Sequence, residues 1–203
     1  MNKVPAVRNA ELTRGRILAA TFDLMYRNGY QGMRIDQILS VTELAKGALY
    51  HHFPNKQTLG YAVVDELLVK EMQERWIDPL RNAESPLQTI QQILNQACDN
   101  MTPAQMQLGC PLNNLSQEMG GLDDGFQKRL KSIYKQWSEA ITDALTLGQQ
   151  SGQVRQDINA KATAIFIISS LQGITGTAKC MQDIDMLKML KNTLNDYIGS
   201  LAV

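Results

Sequence analysis

Residues 33–56 read MRIDQILSVTELAKGALYHHFPNK, and their pattern decides the fold. Ile35, Ile38, Leu39 and Leu44 recur at the spacing that buries one face of a helix. Leu49 and Phe53 stand four apart and anchor a second, shorter helix over about Lys46 to His52. The brief interval between them makes a helix-turn-helix.

The second helix divides its residues as a reader of double-stranded DNA must. With Leu49 and Phe53 turned inward, Lys46, Gly47, Ala48, Tyr50 and His51 face out. Gly47 and Ala48 are small enough for the backbone to descend into a major groove, where Lys46 can donate to guanine and Ala48 can touch a thymine methyl. Ala45 at the start of this helix and Arg34 before the first complete the candidate contacts. Tyr50, His51 and Lys56 suit phosphates, contacts that are blind to sequence and steeply salt-dependent. Asn55 is a good helix N-cap, so the following helix also aims N–H groups at an anion. A plain helical hairpin with ordinary surface residues would read the same from spacing alone.

The segment GALYHHFPNKQTL, preceded by an amphipathic helix ending in RNGYQG, resembles the DNA-binding domain of the TetR/AcrR family of bacterial repressors. The match covers roughly Thr13 to Leu59. It implies an all-α fold, with a three-helix DNA-binding domain over residues 1–56 and a helical effector-binding and dimerisation domain over 57–203. It further implies a homodimer paired through its last two helices, a palindromic DNA operator and release by a small molecule. Two residues depart from the family pattern: Glu43 stands where the turn usually has Gly, and Ala45 where Ser or Thr usually caps the recognition helix. A non-Gly turn residue must tolerate a possible left-handed geometry, and an Ala cap forgoes roughly 1 kcal/mol. These departures keep open an alternative, a helical ligand-binding or enzyme subunit that has lost DNA binding.

Charge supports the DNA reading. Twenty Lys and Arg balance twenty Asp and Glu, yet residues 1–56 carry 8 basic against 4 acidic groups and residues 57–203 carry 12 against 16. A basic head on an acidic body suits a chain that offers one end to DNA. No apolar stretch follows a basic start, and the run Ala162 to Leu171 is too short and too interrupted to span a bilayer. Cys98, Cys110 and Cys180 are odd in number and widely spaced, which fits reduced thiols in a cytoplasm.

Elsewhere the pattern is helical throughout. Residues 1–12 read as a mobile basic arm, and Thr13 as the cap of a helix to about Asn28 that Gly29 ends. Arg14 and Arg16 near its start read as phosphate neighbours. A long helix from Lys56 to about Ile77 stops near Pro79, Ser85-Pro86 begins another to about Met101, and Thr102 to Gly109 reads as a loop. Cys110-Pro111 starts a short helix that fails at Gly120-Gly121. Asp123 or Asp124 caps a long helix to about Ser151, Asn159 one to about Met181, and Asp183 or Asp185 a last one to Leu201. Ala164, Ile165, Ile167, Ile168, Leu171 and Ile174 make the penultimate helix apolar on more than one face, as a shared subunit surface requires.

Enzyme chemistry finds little support, for the chain lacks the Ser, Zn and phosphate-loop motifs, and His51 and His52 are its only histidines. No cofactor or metal is expected. Met72, Met101, Met106, Leu108, Leu112, Asn113, Met119, Tyr134 and Trp137 are candidate lining for an apolar effector, although each fits a core equally well. Cys110 stands at a helix N-terminus, where N–H groups and the dipole favour a thiolate. The order GCPLNNLSQEM and then AKCMQ is similar to the electrophile-responsive branch of the family, which implies a reactive cysteine after that Gly. Lys179 is its expected partner in sensing oxidants or electrophiles.

Overall fold

The computed structural model describes residues 4–81 and 83–203, with side chains from residue 9 onward, and among these the elements are helices. They are α1 (Val4–Gly32), α2 (Ile35–Thr42), α3 (Lys46–His52), α4 (Lys56–Val63), α5 (Val69–Met72), α6 (Asp78–Arg81) and α7 (Pro86–Asp99). After these come α8 (Pro103–Leu108), α9 (Pro111–Met119), α10 (Asp124–Gln150), α11 (Ala160–Met181) and α12 (Ile184–Gly199). Two π-helical turns, Val64–Leu68 and Gln73–Ile77, join α4, α5 and α6 without a break. The chain forms two compact units, Met1–Lys70 with Asn114–Leu130, and Glu71–Asn113 with Lys131–Val203. The first unit therefore extends past the boundary read at Lys56, because α4 packs on α1 and later residues return to join them.

Most helix ends follow their caps. Asn55 Oδ1 accepts the Thr58 N–H at 2.8 Å, Asn159 Oδ1 the Ala162 N–H at 2.9 Å, and Asp183 Oδ1 the N–H groups of Asp185 and Met186. Gly29 breaks α1 at φ 74°, as its place after the amphipathic run requires, and one further turn leads to Gly32.

Three expectations fail locally. The helix that was to begin at Thr13 already runs from Val4, so residues 4–12 are helix, while residues 1–3 of the expected arm lie outside the described residues. Thr13 is an interior residue whose hydroxyl donates to the Asn9 carbonyl at 2.9 Å. Residues 103–108 are helix α8 rather than loop. Thr102 accepts the Gln105 N–H while Gln105 Oε1 accepts the Thr102 N–H, a capping box with Pro103 at the first helical position. Pro79 does not stop the helix it lies in, because the preceding turn is π-helical and the Asp78 N–H reaches back to the Gln73 carbonyl. The register has already shifted where Pro79 would have broken it.

The first unit's core is Ile17, Leu18, Thr21 and Met25 of α1, Ile38 of α2, Leu49 of α3, and Phe53, Leu59 and Val63, all buried. The second unit packs α7 on α12 and α11 on both α12 and α8, around Leu94, Trp137, Leu145, Ala164 and Ile198.

Candidate nucleic-acid interface

The recognition helix α3 is short, and its seat is made by two residues. Leu49 is 0 % and Phe53 3 % exposed, whereas Ala45, Lys46, Gly47, Tyr50 and His51 are exposed and Ala48 is half-buried. A Cβ placed on Gly47 meets nothing within 4 Å, so this side of the helix is open. The Lys46 ammonium lies 6.0 Å from the Tyr50 ring centre, one turn along the same face. Arg34 is also exposed, at the N-cap of α2.

Both departures from the family pattern have structural form. Glu43 ends α2 in the left-handed conformation at φ 54°, and Ala45 occupies the N-cap of α3 without a side-chain hydrogen bond. The turn is thus made without glycine at a strain cost, and α3 begins with its amides uncapped by a side chain.

Three cations expected at phosphates are engaged within the fold. Arg14 pairs in a two-pronged way with Glu66 and lies 5.1 Å from the Phe53 ring centre; Arg16 donates to the Thr42 carbonyl at 2.8 Å. Lys56 donates to the carbonyls of Gln31 at 3.2 Å and Met33 at 2.6 Å and sits over Tyr30. Burial pulls its ammonium pKa down, with Glu118 opposing. These contacts tie α1 to α2, to α4 and to the first π-helical turn.

The first unit also contains a polar clamp that the sequence reading missed. Glu118 of α9 accepts the Tyr30 N–H at 2.8 Å and the Gln31 N–H at 2.7 Å, capping the turn that follows Gly29. A Cβ on Gly29 would come within 3.0 Å of that carboxylate. Asp123 accepts from the Tyr61 hydroxyl at 2.6 Å, Gln57 at 2.7 Å and the Phe126 N–H at 2.8 Å, which holds its pKa below the usual carboxylate value. Arg129 pairs with Asp65 and covers the Tyr61 ring at 4.0 Å. The letters EMGGLDD show acids around a helix break, but nothing in them says which distant N–H groups those acids meet.

In the second unit Cys110 is half-buried at the start of α9. The N–H groups of Asn113 and Leu112 and the Gln172 side chain favour its thiolate, as the helix-start argument expects. Burial outweighs them, and Glu71 adds to it, so the thiol is pushed up rather than down. Asn113 donates to the Gln172 carbonyl at 3.3 Å, which seats the start of α9 on α11; Lys179 lies in the last turn of α11. Met72, Met106 and Leu112 are buried core of this unit, Met101 is half-buried and Leu108 intermediate in exposure, whereas Met119 is buried in the first unit. Tyr134 stacks on Trp137 at 6.4 Å between centres, and Trp76, absent from the expected lining, meets Trp137 at 4.9 Å.

Family models match both ends of the chain: the bacterial regulatory proteins of the tetR family over residues 17–63, and the tetracyclin repressor-like C-terminal domain over 86–194. The chain belongs to the TetR family. An uncharacterised HTH-type transcriptional regulator of Lactococcus lactis is 32% identical over 183 residues, covering 90% of this chain and 91% of its own. The HTH-type transcriptional repressor NemR of Escherichia coli is 27% identical over 144 residues, 68% of this chain and 70% of its own. Among solved structures, a TetR regulator from Chloroflexus aurantiacus superposes with a TM-score of 0.84 at 24% identity, over 96% of this chain and 98% of that one. This TetR-family chain is accordingly a transcriptional regulator and not an enzyme. Among the described residues no helix is long and apolar enough to cross a membrane.

Proposed function

We propose that the chain is a repressor that binds a palindromic operator as a homodimer and leaves it when a small molecule occupies the helical body. The observation that carries this reading is the split of α3, whose apolar anchors are fully buried while Lys46, Gly47, Tyr50 and His51 stand open. Lys46 reads a guanine edge, Ala48 lies against a base methyl, and Tyr50, His51 and Arg34 take phosphates. Lys56 acts behind them by fixing the turn at 31–33.

A single α3 reads only a few base pairs, so a second copy supplies the other half-site one helical turn away, roughly 34 Å. Ile165 and Phe166 of α11 and Ile184 and Met189 of α12 are exposed apolar side chains, with Met181 at the end of α11. A second chain covering the same helices buries them in a closed two-fold contact.

Release by a small apolar molecule accords better with the body than thiol oxidation does. Burial pushes the Cys110 thiol up, which works against the nucleophilic thiolate form. Cleavage protection of an operator fragment tests the proposal. Two protected patches about 10 base pairs apart at two chains per site are expected, and one patch at one chain per site would overturn the dimeric reading. DNA binding at any stoichiometry also disposes of the alternative of a ligand-binding subunit without DNA affinity.

A further inference from the structure

Lys46 and Tyr50 stand one turn apart on the exposed face of α3, with the Lys46 ammonium 6.0 Å from the Tyr50 ring centre. Nothing else on the helix competes for it. A Cβ built on Gly47 meets nothing within 4 Å, and Ala45 carries no polar group. The next aromatic, His51, meets His52 at 5.4 Å instead. Among the described residues the ammonium makes no ion pair, and the Tyr50 ring is its neighbour.

A lysine is a compact point charge on a flexible four-carbon stem, as able to rest on a phosphate oxygen as to reach a base edge. Phosphates line both walls of the groove, and a contact to them carries no sequence information. Base reading by Lys46 therefore needs a group that keeps the ammonium on the groove side of the helix. An aromatic face meets that need, because its quadrupole attracts the cation without supplying the oxygen or nitrogen acceptor that guanine must provide. The attraction strengthens on desolvation, which follows when α3 enters a major groove.

We propose that Tyr50 is a positioning residue for base recognition, the face of its ring holding the Lys46 ammonium at the guanine edge while its hydroxyl binds phosphate. The hydroxyl sits at the tip of the ring, so the phosphate contact also fixes the face on which Lys46 lies. The positioning role rests on Lys46 being the guanine contact.

Substitution separates the two parts of the side chain. Tyr50→Phe keeps the face and loses the hydroxyl, Tyr50→Trp keeps a stronger face without the hydroxyl, and Tyr50→Leu loses both. Tyr50 is 39 % exposed, so these changes leave the apolar anchors Leu49 and Phe53 in place.

The test is a set of titrations of the full chain and its variants on a selected operator, and on copies with A·T in place of G·C at each position of a half-site. Lys46→Ala is expected to mark the base pair that Lys46 reads by losing roughly tenfold discrimination there. Tyr50→Phe and Tyr50→Trp should weaken binding to every fragment by roughly fivefold and keep discrimination at that base pair. Tyr50→Leu should also cut that discrimination by about threefold, leave the other positions unchanged, and have no further effect on it in the Lys46→Ala background. Equal discrimination at that base pair in Tyr50→Leu and Tyr50→Phe would overturn the positioning role, as would a loss in Tyr50→Trp as large as in Tyr50→Leu. A Tyr50→Leu loss spread over all positions would overturn it too, since that marks a displaced helix. Lys46→Ala with unchanged base preference throughout the half-site would overturn the guanine contact itself, and the positioning role with it.

Discussion

The two units of this chain differ in how completely their buried polar groups are paired. In the first, charged and polar groups far apart in sequence meet one another: Glu118 with the Tyr30 and Gln31 amides, Asp123 with Tyr61 and Gln57, Arg129 with Asp65, and Arg14 with Glu66. In the second, polar pairs such as Lys191 with Asp99 and Asn195 with Asn95 join α12 to α7 beside a larger apolar core, and the three buried side-chain polar atoms without partners among the described residues, Trp137 Nε1, Gln172 Oε1 and Asn195 Oδ1, all lie there. Directional bonds fix the angle at which a surface is presented, which DNA reading needs. Apolar contacts are non-directional and can repack at modest cost, which ligand entry needs.

The largest effect separating the units should come from removing an apolar anchor of the first. Leu49→Ala is expected to cost about 2–5 kcal/mol and abolish DNA binding, because α3 has no comparable second residue at its centre. Calorimetric unfolding and an operator titration check both. Gly60→Ala follows, at about 1–3 kcal/mol, since the added Cβ would lie 2.6 Å from Tyr30 and 2.9 Å from Phe126. Denaturant unfolding should show the loss; an unchanged midpoint would mean the first unit yields as readily as the second.

Glu118→Gln sharpens the contrast further. It keeps the shape and removes the charge from two N–H···O bonds, so a loss of about 1 kcal/mol is expected, together with weaker operator binding. Weaker stability with unaltered DNA affinity would make the clamp a brace unrelated to α3. Acid should act in the same place. The pKa of Asp123 is held down by the Tyr61 hydroxyl and the Phe126 N–H, and that of Glu66 by Arg14. A depressed carboxylate stabilises the fold above its unfolded value, near 4, and that contribution disappears as pH falls through the folded value. Unfolding midpoints from pH 6 down to pH 2 should therefore fall, and Asp123→Asn should flatten the slope.

The smallest expected change is a gain. Ala45→Ser supplies the missing cap of α3 and should add up to about 1 kcal/mol in the same unfolding assay.

What the sequence disclosed follows the same division. The helix-turn-helix, the caps at Asn55, Asn159 and Asp183, and the stop at Gly29 were legible, because period and capping are local. The π-helical turns carrying α4 past Pro79 were not, since their signature lies in hydrogen-bond register and not in residue type. Helix α8 could have been found, as Thr102-Pro103 with Gln105 is a capping signal. Lys56 and Cys110 show the limit for sites. Each residue type suggested a partner in solution or DNA, while tertiary burial decided what surrounds it. Alkylation with iodoacetamide at pH 7, followed by peptide mass analysis, should accordingly label the exposed Cys180 before Cys110.

The most direct test of the central claim is a titration of the unaltered chain on an operator selected from genomic fragments, repeated at several salt concentrations and with Lys46→Ala. Affinity in the range of about 10⁻⁸–10⁻¹¹ M that falls steeply with salt is expected, with Lys46→Ala losing base preference at one position in each half-site. Binding that is weak, indifferent to salt and equal for all fragments would contradict the assignment of α3 as a DNA reader.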